Sequence, residues 1–304
     1  ALGWAGLQSG LSGAPTLRLY ASAETHSSVD KAARVAGIGQ DNLVKIPTGA
    51  DDSMLPEALA AAIAKDRVAG FLPIGVVLCA GGTSIGAFDR IGECIAVAKA
   101  AGLPVHVDAA WAGSAMICPE FRELWAGVDA ADSIVFNPHK WLGAQFDCAV
   151  QFVADPGAQI RTLGLRPTYL ETPGEDVVNF NEWTVPLGRR FRALKLWFLL
   201  RAYGLEGLRA RIRNHVAWAG ELAAELAVVP GVRIVTQPSL SLFTFALMSD
   251  AATESLLARI NDDGRVYLTQ TKVKGVYAIR VQVGQFDCTR DDVMMVAEVV
   301  RALI

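Results

Sequence analysis

Residues 133–141 read Ser133-Ile134-Val135-Phe136-Asn137-Pro138-His139-Lys140-Trp141. A short apolar strand, Ser133–Phe136, runs into an amide, a proline, an imidazole and an amine, and Trp141-Leu142 closes the stretch. A lysine at the carboxyl end of a buried strand loses water, its pKa falls, and its neutral amine becomes a nucleophile able to form an imine. The plainer alternative is a solvated surface lysine.

Reading outward, the same pattern recurs upstream. Val105-His106-Val107 is a strand ending at Asp108, with two small residues, Ala109 and Ala110, behind it. Phe71 to Cys79 is an apolar run of strand length stopped by Gly81-Gly82, with Thr83-Ser84 following. Leu17 to Ala21 is a strand leading to Thr25-His26-Ser27-Ser28. Helices separate these strands. One starts at Ser27-Ser28 and stops at Gly37; one spans Met54 to Lys65, capped by Asp52-Ser53; one spans Arg90 to Ala101, capped by Asp89, with Gly102 beyond its end. Cys148 to Val153 reads as a return strand. Apolar strands alternating with helices predict an α/β domain with a mostly parallel sheet. Such sheets bind ligands beyond the carboxyl ends of their strands, where His26, Thr83, Asp108 and Lys140 fall.

Residues 160–181 break the pattern with Pro167, Pro173, Gly164, Gly174 and an acidic cluster, and predict a long mobile loop of functional kind. Leu187 to Tyr203 and about Leu205 to Ala227 follow as amphipathic helices. Strands 232–236, 242–247, 266–271 and 276–283 with helices 251–261 and 290–303 predict a smaller C-terminal α+β domain. The expected division is 1–198 and 199–304.

Composition narrows the function. The 304 residues carry 28 Lys+Arg against 31 Asp+Glu, a net charge of −3, which argues against nucleic-acid binding. Hydrophobic residues at 52% with 19% charged residues exclude a disordered chain. Cys79, Cys94, Cys118, Cys148 and Cys288 are widely spaced with no Cys-x-x-Cys, which predicts reduced thiols of a cytoplasmic protein and no metal site. The least charged stretch, Gly102 to Pro119, is interrupted by His106 and Asp108, so no membrane span is expected, and the opening residues carry no signal-peptide pattern.

Lys140 and Asp108 together suit pyridoxal phosphate. A carboxylate beside the pyridine nitrogen keeps it protonated and strengthens the electron sink, and the small Ala110 lets a flat ring lie against the backbone. A helix N-cap or a metal ligand is the other reading of Asp108. His26 suits stacking on the ring opposite Ala110, or else is a polar turn residue. Gly81-Gly82-Thr83 is a weak phosphate-loop signal and equally a turn. His215, on a late amphipathic helix, reads as structural.

The segments Thr25-His26-Ser27-Ser28-Val29, His106-Val107-Asp108-Ala109-Ala110-Trp111, Ile117-Cys118-Pro119-Glu120-Phe121-Arg122, Phe136-Asn137-Pro138-His139-Lys140-Trp141 and Pro186-Leu187-Gly188-Arg189-Arg190-Phe191-Arg192 resemble those of the aromatic-L-amino-acid decarboxylases. These are group II pyridoxal-phosphate decarboxylases of the aspartate-aminotransferase-like fold, also called fold type I, and the resemblance runs over essentially the whole chain. It implies that Lys140 holds the cofactor through an imine, Asp108 pairs with the pyridinium nitrogen and His26 stacks on the ring and meets substrate. It implies hydrogen bonds to the cofactor from Thr83, and to its phosphate from Asn137 and His139. Tyr169 matches the loop tyrosine that protonates the substrate carbon after carbon dioxide leaves; relatives that make aldehydes tend to carry Phe there.

The resemblance further implies a homodimer in the full-length form and an aromatic substrate: DOPA, tyrosine, tryptophan or 5-hydroxytryptophan. Gly188 goes with indolic substrates in some plant relatives. The family's chains are longer, and the expectation is that this one lacks the N-terminal third, which supplies dimer packing, part of the substrate pocket and a phosphate-binding serine turn. Gly82 stands where many relatives have Thr. Three alternatives remain: an aromatic aldehyde synthase, an acidic amino-acid decarboxylase on the same fold, or a non-catalytic fragment acting as an assembly partner.

Overall fold

The structure is a computed structural model that describes residues 3–165 and 178–304, with the side chains of residues 4 and 5 left aside. Two sheets organise it. The first has six strands: β1 (Leu17–Ser22), β2 (Leu43–Ile46), β3 (Leu72–Cys79), β4 (Val105–Asp108), β5 (Ser133–Phe136) and β6 (Val150–Val153), in the order β2-β1-β3-β4-β5-β6. β1 to β5 pair in parallel, and β6 returns antiparallel against β5. The second sheet is antiparallel: β7 (Arg233–Ser239), β8 (Leu242–Ala246), β9 (Thr269–Val273) and β10 (Val276–Gln282), in the order β7-β8-β10-β9.

The helices are α1 (Gly3–Ser9), α2 (Ser28–Val35), α3 (Pro56–Val68), α4 (Ile91–Ala100), α5 (Pro156–Leu163), α6 (Ala193–Ala227), α7 (Asp250–Asp263) and α8 (Arg290–Leu303). The mostly parallel α/β sheet and the second α+β unit both match the expectation. The main core joins strand residues such as Tyr20, Val76, Leu78 and Val107 to Leu59 and Ile63 of α3 and Ile91 and Ile95 of α4. A second core joins Phe243, Phe245 and Ile279 to Leu256 of α7 and Val296 and Val300 of α8. Helix α6 serves both. Its Leu208 and Ile212 pack into the first core, and its Ala219, Leu222 and Leu226 into the second.

Several local expectations change. β2 was not expected; four residues before Pro47 give too short a pattern, and pairing with β1 makes them a strand. Asp52-Ser53 does not cap α3, which begins at Pro56 with Leu55 as N-cap; Asp52 sits in a left-handed turn (φ 60°). The first helix turn after Pro186 and Gly188 does not form, so α6 starts at Ala193 and runs on through a kink at Gly204 (φ 65°). Within the expected 160–181 loop, α5 extends to Leu163 and a 3-10 turn covers Phe180–Trp183; residues 166–177, including Tyr169, lie outside the described residues. β5 is half-buried rather than buried along its length.

Asp89 is the most informative correction. It does not cap α4, whose N-cap is Arg90. It is buried, and its carboxylate accepts the backbone N–H of Cys79 at 2.6 Å and of Met54 at 2.8 Å. That fixes the end of β3 against the segment leading into α3. Burial pushes its pKa up to about 6, with the two N–H donors pulling the other way. The folded state therefore binds a proton that the unfolded state, near 3.8, has released. This contribution to stability is full below the unfolded pKa and is lost as the pH rises through about 6. Asp89→Ala leaves both donors buried and unpaired, and urea unfolding at pH 7 should show a loss of about 2–4 kcal/mol.

Candidate active site

The register of three parallel strands assembles the site. Cys79 on β3 pairs with Asp108 on β4, and Asp108 pairs with Val135 on β5. The chains leaving these strands stay tied together. Ala80 N–H donates to the Asp108 carbonyl at 2.8 Å, Ala109 N–H to Val135 at 3.0 Å, and Asn137 N–H to Ala110 at 2.8 Å. Their side chains open onto one cavity of about 480 Å³ at the carboxyl edge of the sheet.

His26, Thr83, Asp108, Ala110, Asn137 and Lys140 all line that cavity, with Trp111 on its wall. His139 does not line it. Its Nδ1 is turned to the backbone of Cys148, 2.7 Å from that carbonyl, and its ring meets the edge of Phe146. Tyr169 lies outside the described residues.

Each side chain has a local reason for its place. Asp108 Oδ1 accepts the Ala110 N–H at 3.0 Å, which folds the turn back on itself and aims the rest of the carboxylate at the cavity. Ser28 N–H donates to His26 Nδ1 at 3.1 Å, so Nε2 is the nitrogen left for a ligand. Gly81 is required: at φ +83° an added Cβ would lie 2.3 Å from the Ala112 Cβ. That close approach presses the Thr83 loop against the segment after Asp108. The Thr83 carbonyl is held in turn by Arg280 Nε at 2.6 Å.

Lys140 lies in a single wide turn, Pro138–Leu142, where it departs from helical geometry (φ −93°, ψ −113°). Turns of this kind are frequent at functional sites. Its side chain reaches solvent through the open cavity mouth. The surrounding wall still pushes its pKa below the ordinary lysine range by burial, while the Asp108 carboxylate pulls it up. Cys79, on the same cavity wall but buried, is the opposite case: burial and nearby carboxylates raise its thiol well above the usual range, so it is inert.

A second cavity of about 500 Å³ adjoins the first, sharing Thr83, Trp111 and Lys140 and adding Tyr267, Arg280 and Gln282. Arg280 was not singled out in the sequence. The available signal was a lone charge within the apolar run Ala278-Ile279-Arg280-Val281. Among the described residues no group of histidines, cysteines and carboxylates is placed to hold a metal ion, and no helix is long and apolar enough to cross a membrane.

With that geometry in place, comparison with known proteins identifies the relatives. Residues 9–248 match the pyridoxal-dependent decarboxylase conserved domain. The chain belongs to the pyridoxal-dependent decarboxylase family. It is 40% identical over 266 residues to the aromatic-L-amino-acid decarboxylase of Drosophila lebanonensis, covering 87% of this chain and 65% of that one. It superposes on Oryza sativa TDC, crystallised with PLP and tryptamine, with a TM-score of 0.94 and 34% identity over 98% of this chain and 65% of that one. It also superposes on Rhodiola rosea 4-hydroxyphenylacetaldehyde synthase, with a TM-score of 0.90 and 32% identity over 98% of this chain and 64% of that one. The chain thus spans about two thirds or less of the length of these relatives. The aminotransferase-like fold expected from the sequence is the fold of these pyridoxal-dependent enzymes.

The opposed influences on Lys140 give a direct test. Asp108→Asn removes the carboxylate that raises the amine's pKa and leaves the burial that lowers it. Acetylation of Lys140 followed against pH by mass spectrometry should reach half its limiting rate at a lower pH in Asp108→Asn than in the parent.

Proposed function

We propose that this chain carries the cofactor-binding core of a pyridoxal-phosphate-dependent decarboxylase that converts an aromatic L-amino acid to its amine and carbon dioxide. The observation that carries the reading is the meeting of Lys140 and Asp108 in one cavity, at the carboxyl ends of adjacent parallel strands. The donor set fits the cofactor. A primary amine of lowered pKa can bond its aldehyde, a carboxylate can face its ring nitrogen, and an imidazole and two polar side chains remain for its ring and phosphate.

Pyridoxal phosphate, when bound, supplies the electron sink for the pair released as the Cα–carboxylate bond breaks. The residues then divide the work. Lys140 Nζ would hold the cofactor through its aldehyde carbon. Asp108 keeps the ring nitrogen protonated. His26 and Ala110 would hold the ring between them, with the free Nε2 of His26 available to the substrate. Thr83 and Asn137 would donate hydrogen bonds to the cofactor and its phosphate; His139, turned to the Cys148 backbone, does not face the cavity. Tyr169 gives a proton to the substrate Cα once carbon dioxide has left.

The same proposal takes residues 1–198 as the cofactor-binding unit and 199–304 as the smaller unit. It includes a cytoplasmic location and a homodimeric full-length form. The aromatic choice, with DOPA, tyrosine, tryptophan or 5-hydroxytryptophan as substrates, is supported by the Drosophila relative and by the tryptamine in Oryza sativa TDC. The Rhodiola relative shares the fold nearly as well, so the product has to be determined by chemistry.

The test has two parts. The chain is mixed with pyridoxal 5′-phosphate and reduced with borohydride, and the modified peptide is mapped. The adduct should sit on Lys140 and disappear in Lys140→Ala. Incubation with tryptophan, DOPA, tyrosine or glutamate should then release amine and carbon dioxide from the aromatic amino acids. Aldehyde with ammonia and peroxide would make the protein a synthase. An adduct on another lysine, or none, would end the reading.

A further inference from the structure

The turn that carries Lys140 is tied to one helix at two points. Trp141, fully buried, donates its Nε1–H to His215 Nδ1 at 3.0 Å. Arg211, one helical turn earlier on α6, donates from Nη2 to the Leu142 carbonyl at 2.5 Å. Residues four apart lie on the same face of a helix, so one stripe of α6 grips both residues that follow the lysine.

His215 is fully buried. Burial, with the Arg211 guanidinium nearby, holds its pKa down to about 4, so the imidazole is neutral at ordinary pH. A neutral imidazole that accepts at Nδ1 carries its hydrogen on Nε2. Nε2 lies 3.5 Å from Cys288 Sγ, which accepts it. Arg211 is braced as well. Its guanidinium lies over the Phe286 ring, 3.7 Å from the centroid. Phe286 occupies the space beside Gly143, where any Cβ would fall 1.9 Å from its ring.

The same turn shapes the cavity wall. The Trp141 indole stacks on Trp111 at 5.0 Å with 21° between planes, and Trp111 lines the cavity three residues after Asp108. A chain of contacts therefore runs from Cys288 through His215 and Trp141 to both sides of the site.

We infer that His215 and Arg211 are positioning residues for Lys140, holding its turn so that the amine is presented to the cavity beside Asp108. The inference rests on the reading of Lys140 as the cofactor-holding amine. An apolar residue at 215 would leave the Trp141 N–H buried without an acceptor, a cost the turn relieves by moving toward water. Displacements of about 1 Å at a reacting group can cost on the order of a hundredfold in rate.

The experiment reads the lysine itself. Competitive acetylation of the 304-residue chain, analysed by mass spectrometry across a pH series, gives the pH at which Lys140 is half-titrated. Among the described residues, the other charged or titratable groups lining the two cavities are Cys79 from β3, His106 and Asp108 from β4 and His26 before α2 in its own, and Tyr267 before β9 and Arg280 from β10 in the adjoining one. None is altered, so a shift reports the turn.

In His215→Leu the midpoint should move up toward that of exposed lysines by about half a unit or more as the amine regains water. In His215→Asn, whose side-chain oxygen takes the place of Nδ1, it should stay at the parent value. Trp141→Phe removes the same hydrogen bond from the other side and should shift the midpoint as His215→Leu does, with no further shift in the double variant. Val299→Ala, in the second core, should lower the melting temperature and leave the midpoint alone. Reductive trapping of pyridoxal 5′-phosphate on Lys140 should slow about tenfold or more in His215→Leu and Trp141→Phe, and less than about threefold in His215→Asn.

An unmoved midpoint in Trp141→Phe would overturn the inference whether or not His215→Leu folds. So would a shift in His215→Asn as large as in His215→Leu. Failure of the parent to trap the cofactor on Lys140 would instead overturn the proposed function, and the acetylation series would still decide the role of α6.

Discussion

The structure depends on the hydrogen-bonded register of β3, β4 and β5. Those three parallel strands place Cys79, Asp108 and Val135 side by side, and everything chemical hangs from their carboxyl ends. A slip of one residue in β4 would turn Asp108 to the opposite face of the sheet. Backbone bonds continue the alignment past the strands, from Ala80 to Asp108, Ala109 to Val135, and Asn137 to Ala110. A carboxylate and an amine far apart in sequence are thereby held in one cavity before any ligand arrives.

The second unit reaches that cavity and steadies it. Arg280 holds the Thr83 carbonyl, Ser239 donates to the Gly86 carbonyl at 2.7 Å, and Lys274 pairs with Asp52 at 2.8 Å. Ile85 and Ala87 from the loop after β3 pack with Val273 and Ala278 of the antiparallel sheet. Helix α6 adds the grip on the lysine turn. The loop and the turn that bear the polar groups are thus held between two sheets, which suits a site that must fix small groups to within a fraction of an ångström.

The sequence made the strand ends legible because each of these strands is a short apolar run stopped by glycine or by a polar residue, and that punctuation is local. Lys140 and Asp108 stood out because an ionisable group at such a stop needs a reason. Asp89 misled for the same cause: an acid ahead of a helix reads as a cap, and only the tertiary fold brings the Cys79 and Met54 amides to it. β2 became a strand by pairing, not by pattern. His215 read correctly as structural, yet its partner Trp141 lies 74 residues away, beyond what periodicity can convey. Arg280 was hidden within a mostly apolar strand.

A crystal structure of the chain with pyridoxal 5′-phosphate is the most direct measurement of the central claim. The account predicts continuous density from Lys140 Nζ to the cofactor, with the Asp108 carboxylate at hydrogen-bonding distance from the ring nitrogen. A cofactor seated away from the β3–β4–β5 edge, or one whose ring nitrogen faces a group other than Asp108, would contradict it.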